Sequence, residues 1–367
     1  MGLPKIQYTN VTEGNVSLVL AQKGVALLVL KDDTNATGLY EIYSFVEVNK
    51  ADWTVDNYQL IEFVYNPSIF NPSKLWIVRI PTTGGFSDAV NIIENQNLTF
   101  NYGCFPDATD TENAQIVDYI TGERENWTEL QFWKWIVNWK DQVINKEYII
   151  NFTTENIVLK DGAVSTGHFM PKILGLVCGC PYTQSLIIDA VYFNEVVSFT
   201  KKADENAAID AGELILVKRR GKVRFGDDVT TFTTFTPSKN EAFASRSVVD
   251  RIDFINESEV LTFEKRWRGA VTTSYDNKIA IAASFTSLLV DAEREGLLEP
   301  NFNNRCEVNL AKHEAIAIAQ GIDPSTLSPA QLRNINTGDK IYLINIIRVP
   351  GIAKDLYFVT FMTTISD

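Results

Sequence analysis

Apolar residues first gather at Lys5–Thr9 and Val16–Leu20, two β-like stretches, and then in the run Val25–Leu30, which Lys31, Asp32 and Asp33 terminate. That run is apolar at every position, and successive strand side chains point to opposite sides, so it predicts a central strand. Val55, Tyr58, Leu60, Ile61, Phe63 and Val64 follow at helical spacing up to Asn66 and Pro67. They predict an amphipathic helix that stops before the proline. Leu75–Ile80 reads as a strand, Phe86–Gln96 as a helix and Leu98–Tyr102 as a strand. Ala114–Glu123 reads as a helix behind a cap region at Asp110 and Thr111. Strand and helix alternate, which predicts a mixed α/β module.

The middle of the chain is punctuated differently. Tyr148–Thr153, Ile157–Lys160, Leu214–Lys218, Val223–Phe225 and the Thr-rich Val229–Thr236 are strand-like, and Pro171–Cys180 reads as a helix whose small residues permit close packing. Trp127, Trp133, Trp135 and Trp139 cluster in a way that invites a carbohydrate-stacking role. The spacing of Trp133 and Trp135 is that of one strand face, however, and large aromatics mostly fill cores. From Ser247 onward two long amphipathic helices are predicted, Val248–Glu264 and Ile279–Glu295, with Gly296 as the stop of the second. Ile341–Val349 returns as a strand.

Composition narrows the function classes. A chain of 367 residues with 45% apolar and 22% charged residues is long enough for two or three modules around a real core. A net charge of −13 opposes a nucleic-acid role, which needs a concentrated basic face. The main basic run, Lys218, Arg219, Arg220, Lys222 and Arg224, alternates with Leu216, Val217, Val223 and Phe225 around Gly221, as the solvent side of a β-hairpin would. Cys104, Cys178, Cys180 and Cys306 are too scattered for a disulfide framework and lack the second pair of a zinc site, so buried thiols are expected. No signal-peptide pattern opens the sequence and no apolar run approaches the ~20 residues of a membrane span, which predicts synthesis in a reducing cytoplasm and no membrane insertion.

Candidate chemistry is sparse. His168 and His313 leave little room for a triad or a multi-histidine metal site. Gly84 and Gly85, after a strand, resemble a phosphate-cradling turn without the Gly-Lys-Ser/Thr ending. Asp227/Asp228 and Asp32/Asp33 are sequence neighbours, which point to opposite faces of a strand and so make poor acid/base partners. The expectation is no catalytic residue, no metal ligand and no cofactor. The alternative class is an α/β enzyme whose site follows none of these patterns.

The last segment, Asp355–Ile365, is apolar on both faces for most of its length. Left as an open edge, such a strand would template aggregation. Two readings are open: a buried strand of its own domain, or β-augmentation between copies. Lys5–Leu20, interrupted by Asn10, Gly14 and Asn15, poses the same question.

Taken in order, several tracts resemble the contractile tail sheath proteins of phages and phage-tail-like particles, especially the compact type of low-GC Gram-positive hosts. They are Met1–Ile6, Lys23–Asp33, Lys74–Pro81, Ile150–Ile157, Ala207–Leu216, Ser274–Lys278, Glu295–Pro300, Asn336–Gly338 and Asp355–Met362. The Gln7–Gln22 and Trp127–Trp139 stretches depart from the family pattern. The resemblance implies an α/β mixed (α+β), multi-domain fold, with mixed sheets flanked by helices and extended N- and C-terminal β-strand arms. The expected parts are an arm at 1–22, an α/β part at 23–100, a middle α/β and β-hairpin module at 101–245, a helical and strand sheath domain at 246–350 and a β-arm at 351–367. It further implies a homo-oligomer of six-membered rings stacked helically around a tail tube protein, with baseplate and tail terminator proteins as partners, in a virion tail assembled in the host cytoplasm. Intersubunit contacts are expected from Ile6, Tyr8, Val16, Leu18 and Leu20 of the first arm and from Leu356, Tyr357, Phe358, Val359, Phe361 and Met362 of the last. By position, Asn309–Arg333 would face the tube, with Lys312 and Arg333 as the contacts. A sheath of a phage-tail-like bacteriocin or injection system would share all these features.

Overall fold

The apolar run near residue 25 becomes strand β1 (Val25–Lys31), and both of its faces are covered. The computed structural model describes residues 24–66, 69–126, 130–237 and 239–354. These fall into two compact units, one of residues 24–253 with 349–354, the other of residues 254–348, the division lying within a long helix.

The first unit is built on β1, β2 (Gly38–Ile42), helix α1 (Val55–Tyr65), β3 (Lys74–Ile80), α2 (Phe86–Asn95), β4 (Tyr102–Cys104), α3 (Asp110–Glu125), β5 (Lys134–Val137) and β6 (Ile149–Phe152). There follow β7 (Glu155–Leu159), β8 (Gly162–Val164), α4 (Thr166–Gly179), β9 (Val196–Thr200), α5 (Glu205–Asp210), β10 (Glu213–Leu214), β11 (Leu216–Arg219) and β12 (Lys222–Phe225). One sheet runs in the order β10-β6-β5-β4-β1-β3-β2, parallel throughout except for the antiparallel edge strand β2. Ala26, Leu28 and Leu30 of β1 pack in the same core as α1 and α4 residues such as Ile61 and Ile173, whereas Val25, Leu27 and Val29 join Ala89 of α2 and Ile116 of α3. A parallel sheet covered on both faces requires such an unbroken apolar strand at its centre. Side chains start the helices: Thr54 Oγ1 accepts from Asn57 N–H, and Thr109 and Glu112 form a reciprocal capping box.

Close packing fixes two contacts. Gly175 lets α4 press on α1, because a Cβ there would overlap the Val64 carbonyl oxygen. Gly103, opposite Trp135 in the β4–β5 register, leaves room for the indole. Trp135 is fully buried and Trp133 stacks on Phe100 at 4.5 Å, so these rings fill the core. Trp127 lies outside the described residues.

Three local expectations need correction. The α4 helix starts at Thr166 and not at Pro171, since Ser165 Oγ caps it by accepting from His168 N–H, and the proline sits inside the helix. The Thr-rich stretch is not a strand. Its Thr233 and Thr234 N–H groups donate to Asn145 Oδ1, leaving Val229↔Ser245 as an isolated bridge. The strand expected at Leu98–Tyr102 begins only at Tyr102, while Leu98 and Phe100 are buried in its approach.

The second unit holds the larger part of α6 (Arg246–Arg266), then α7 (Tyr275–Arg294), β13 (Arg305–Val308), α8 (Leu310–Ala319), α9 (Pro329–Arg333) and β14 (Leu343–Ile346). β13 and β14 form an antiparallel pair on α7, with Cys306 and Val308 buried. The architecture is therefore mixed α/β, with several sheets flanked by helices.

Candidate functional site

Ligands of doubly wound sheets bind outside the carboxyl ends of the strands, where strand order reverses. Here that point is the end of β1, and it is filled. Asp32 is buried and accepts from Thr34 N–H, Thr54 N–H and Asn57 Nδ2 at 2.8–3.0 Å. Burial raises its pKa, but those donors outweigh it and bring it to about 2, so the carboxylate is committed to holding the loop. The Gly84–Gly85 turn is closed likewise: Gly85 N–H donates to Asp88 Oδ2 at 2.9 Å, putting a carboxylate of the chain where an anion would sit. A cavity of about 340 Å³ lies between α1, α4 and the 190–195 loop. Its buried cation, Lys172, is paired with Glu195 at 3.0 Å and lies over the Phe63 ring.

The other sequence candidates are structural. His168 Nε2 bonds Asp107 Oδ1 at 2.8 Å and His313 Nδ1 bonds the Leu332 carbonyl at 2.9 Å. All four cysteines are buried and free. Among the described residues, no three His, Cys, Asp or Glu side chains are placed to share a metal ion. Asp228 points inward and Asp227 pairs with Lys354, the opposite orientations expected of neighbours. The basic run is the β11–β12 hairpin, turning at Arg220 and Gly221, both at positive φ, with Lys222 and Arg224 paired to Asp189.

A cluster that the sequence reading missed anchors the first two turns of α6. Arg246 binds both oxygens of Asp228, at 2.6 and 2.7 Å, and Asp250 at 2.5 Å. Asp250 also accepts from Tyr102 Oη at 2.6 Å and meets Lys134 at 3.3 Å, while Asp253 binds Lys134 at 2.9 Å and Arg124 at 2.8 Å. Three cations and three carboxylates thus neutralise one another in the interior. Burial disfavours the charge on Arg246 and on Lys134, yet the neighbouring carboxylates raise both pKa values above normal. The available signal was the i, i+4, i+7 spacing of Arg246, Asp250 and Asp253 along one helix face.

What remains open is a strand edge. Cys306 N–H donates to Thr286 Oγ1 at 3.0 Å, so Cys306 turns its backbone away from β14. Residues opposite each other in an antiparallel pair share that orientation, so Asn345, facing Cys306, turns its N–H and C=O away from β13, as does Leu343, two residues on. Thr286 of α7 covers β13 at Cys306, whereas no strand pairs with the outer edge of β14 among the described residues. Ile344 and Ile346, partly exposed, flank that edge. A two-stranded ribbon is marginal alone, and an unpaired edge is a template for another strand.

Lys312 is exposed on α8 and Arg333 half-buried at the end of α9. The His313–Leu332 bond joins their helices, and each residue lies one position from it. The arm residues Ile6, Tyr8, Val16, Leu18, Leu20, Leu356, Tyr357, Phe358, Val359, Phe361 and Met362 lie outside the described residues.

No family model matches the chain. It is 28% identical over 334 residues to the tail sheath protein of Clostridium phage phiCD119, covering 89% of this chain and 90% of that one. Its fold is similar to that of the sheath tail protein of Desulfitobacterium hafniense, with a TM-score of 0.66 at 13% identity, covering 83% and 94% of the two chains. It is also similar, with a TM-score of 0.66 at 10% identity over all of both chains, to the helical sheath of the anti-feeding prophage in its contracted state. In sequence the chain is similar to a phage tail sheath protein, and in fold it is similar to sheath proteins of contractile systems.

Proposed function

We propose that this chain is the structural subunit of a contractile tail sheath, forming stacked six-membered rings around a tail tube and linked by strands exchanged between copies. The observation that carries the reading is the outer edge of β14, unpaired among the described residues, where Leu343 and Asn345 present backbone groups to an incoming strand. The arms at 1–22 and 351–367 are the natural donors, since their apolar stretches need pairing. Relaxation of the assembled sheath to a shorter, wider state would drive the tube through the host envelope, the energy being stored in subunit packing and not in a hydrolysed nucleotide. That role asks no reaction of the chain, and it brings the tube, baseplate and tail terminator proteins as partners. Lys312 and Arg333 are the proposed tube contacts. The likeness to the anti-feeding prophage sheath supports a second reading, a sheath of a phage-tail-like injection system; a capsid gene beside the coding sequence would decide for the phage.

Leu343→Pro tests the carrying observation. Its N–H points outward, so proline there leaves the β13–β14 ladder intact and removes one donor from the accepting edge. The expected result is a folded, soluble protein that forms no cylinders under conditions in which the unaltered chain does. Cylinders from Leu343→Pro at the ordinary concentration would refute strand addition at β14.

A further inference from the structure

The seat of β14 contains two buried acceptors that face no donor. Asn345 Nδ2 donates to Glu259 Oε2 of α6 at 2.8 Å. The other atoms of the same two groups, Glu259 Oε1 and Asn345 Oδ1, are buried without a hydrogen-bond partner. Each orphaned acceptor is costly in a protein interior. A single proton relieves both, because a carboxylic acid and a primary amide that already share one N–H···O bond close a ring through O–H···O=C on the other side. We propose that Glu259 keeps its proton through mildly acidic pH up to near neutrality and donates it to Asn345 Oδ1, so that two hydrogen bonds clamp β14 to α6 until the proton is lost to solvent.

The surroundings favour the neutral acid. Burial pushes the Glu259 carboxyl up to about 7, with the Asn345 amide pulling the other way. On β13 its neighbour is Cys306, a buried thiol pushed up to about 12, while Glu307, next along the strand, is exposed and paired with Arg305. On α7, Lys278 binds the Ile335 carbonyl, Asp291 pairs with Arg294 and Glu293 with Asn304, while Asp276 stands in the first turn of the helix. On α6, Glu264 pairs with Arg268, and no ion pair reaches Glu259 among the described residues. Loss of the proton leaves a carboxylate oxygen against the amide oxygen, which loosens β14, the strand that accepts a neighbour in the function proposed above. The clamp rests on that reading only for its consequence in assembly. Because the folded chain binds this proton more tightly than the unfolded one, stability is full below the ordinary value of 4.5 and is lost as pH rises to about 7.

Unassembled protein carrying glutamate labelled with ¹³C at the carboxyl gives the test. The resonance absent from Glu259→Gln should titrate near neutrality, well above the other carboxylates. The glutamine amide supplies the missing donor permanently. The melting temperature of Glu259→Gln should therefore gain on that of the unaltered protein as pH rises from about 5 to about 8, levelling above that. A Glu259 resonance already at its ionised position at about pH 5.5, or a melting difference that does not move with pH, overturns the clamp. Asn345→Ala identifies the same resonance by displacing it if Glu259→Gln does not fold. Since both readouts use unassembled protein, their failure leaves strand addition at β14 standing, while cylinders from Leu343→Pro alongside a normal Glu259 titration would strike at strand addition alone.

Discussion

Replacing Arg246 with methionine isolates what the buried charge cluster contributes. Asp228 is 1% exposed and Asp250 3% exposed, so neither can turn to water for compensation. Asp250 keeps Lys134 and Tyr102, whereas Asp228 keeps only Ser185 Oγ and Leu186 N–H, at 2.9 and 3.1 Å. The loss falls mainly on Asp228, an ionised group left buried, for which the cost is about 3–5 kcal/mol. The two surviving donors place the expectation near the lower end. Burial pushes the Asp228 carboxyl up and Arg246 outweighs it, holding the pKa below the usual range. In the variant burial acts unopposed by the guanidinium, and Asp228 is expected to take up a proton on folding. The variant should therefore recover stability as pH falls from about 7 to about 5, while the unaltered chain, whose Asp228 pKa is depressed, gains nothing from this group. Urea unfolding followed by tryptophan emission measures the difference, with the buried Trp133 and Trp135 of the same unit contributing. Adding Asp228→Leu should restore a large part of the loss, as removing both members of a buried pair often does. A cost under about 1 kcal/mol at pH 7, or one unchanged at pH 5, would refute the assignment of this cluster as the anchor of α6.

Two further expectations follow from packing and from the terminal sequence. Gly175→Ala should lower stability by about 1–3 kcal/mol by forcing α4 away from the Val64 carbonyl, read as a lower urea midpoint with an unchanged slope. Deleting Leu356–Asp367 should leave a soluble, folded monomer that no longer assembles, which sedimentation and electron microscopy of the truncated chain would show; normal polymerisation would refute the arm as a link.

Strong periodicity made the first unit largely legible. The unbroken apolar run at Val25–Leu30 announced a strand covered on both faces, and the helical spacing between Val55 and Val64 announced α1. The hairpin at Lys218–Arg224 followed from alternation around Gly221. Errors arose where local chemistry overrode pattern. Ser165 capped a helix ahead of Pro171, and Asn145 drew the backbone of the Thr-rich stretch away from a ladder. The buried charge cluster was hidden for another reason: its members come from Arg124, Lys134, Asp228 and the start of α6, and only the fold brings them together. The open edge of β14 was equally invisible, because which edge of a strand stays unpaired depends on register and on Thr286, far from it in sequence. The resemblance to tail sheath proteins, by contrast, lay in the order of short tracts along the chain, and the relatives bear it out.

The central claim, that copies of this chain build a sheath, is tested most directly by electron microscopy of the purified full-length protein at rising concentration, with and without the tube protein from the same particle. The account predicts hollow, striated cylinders with six-fold end views. Single particles that persist at every concentration, even with the tube protein present, would contradict it.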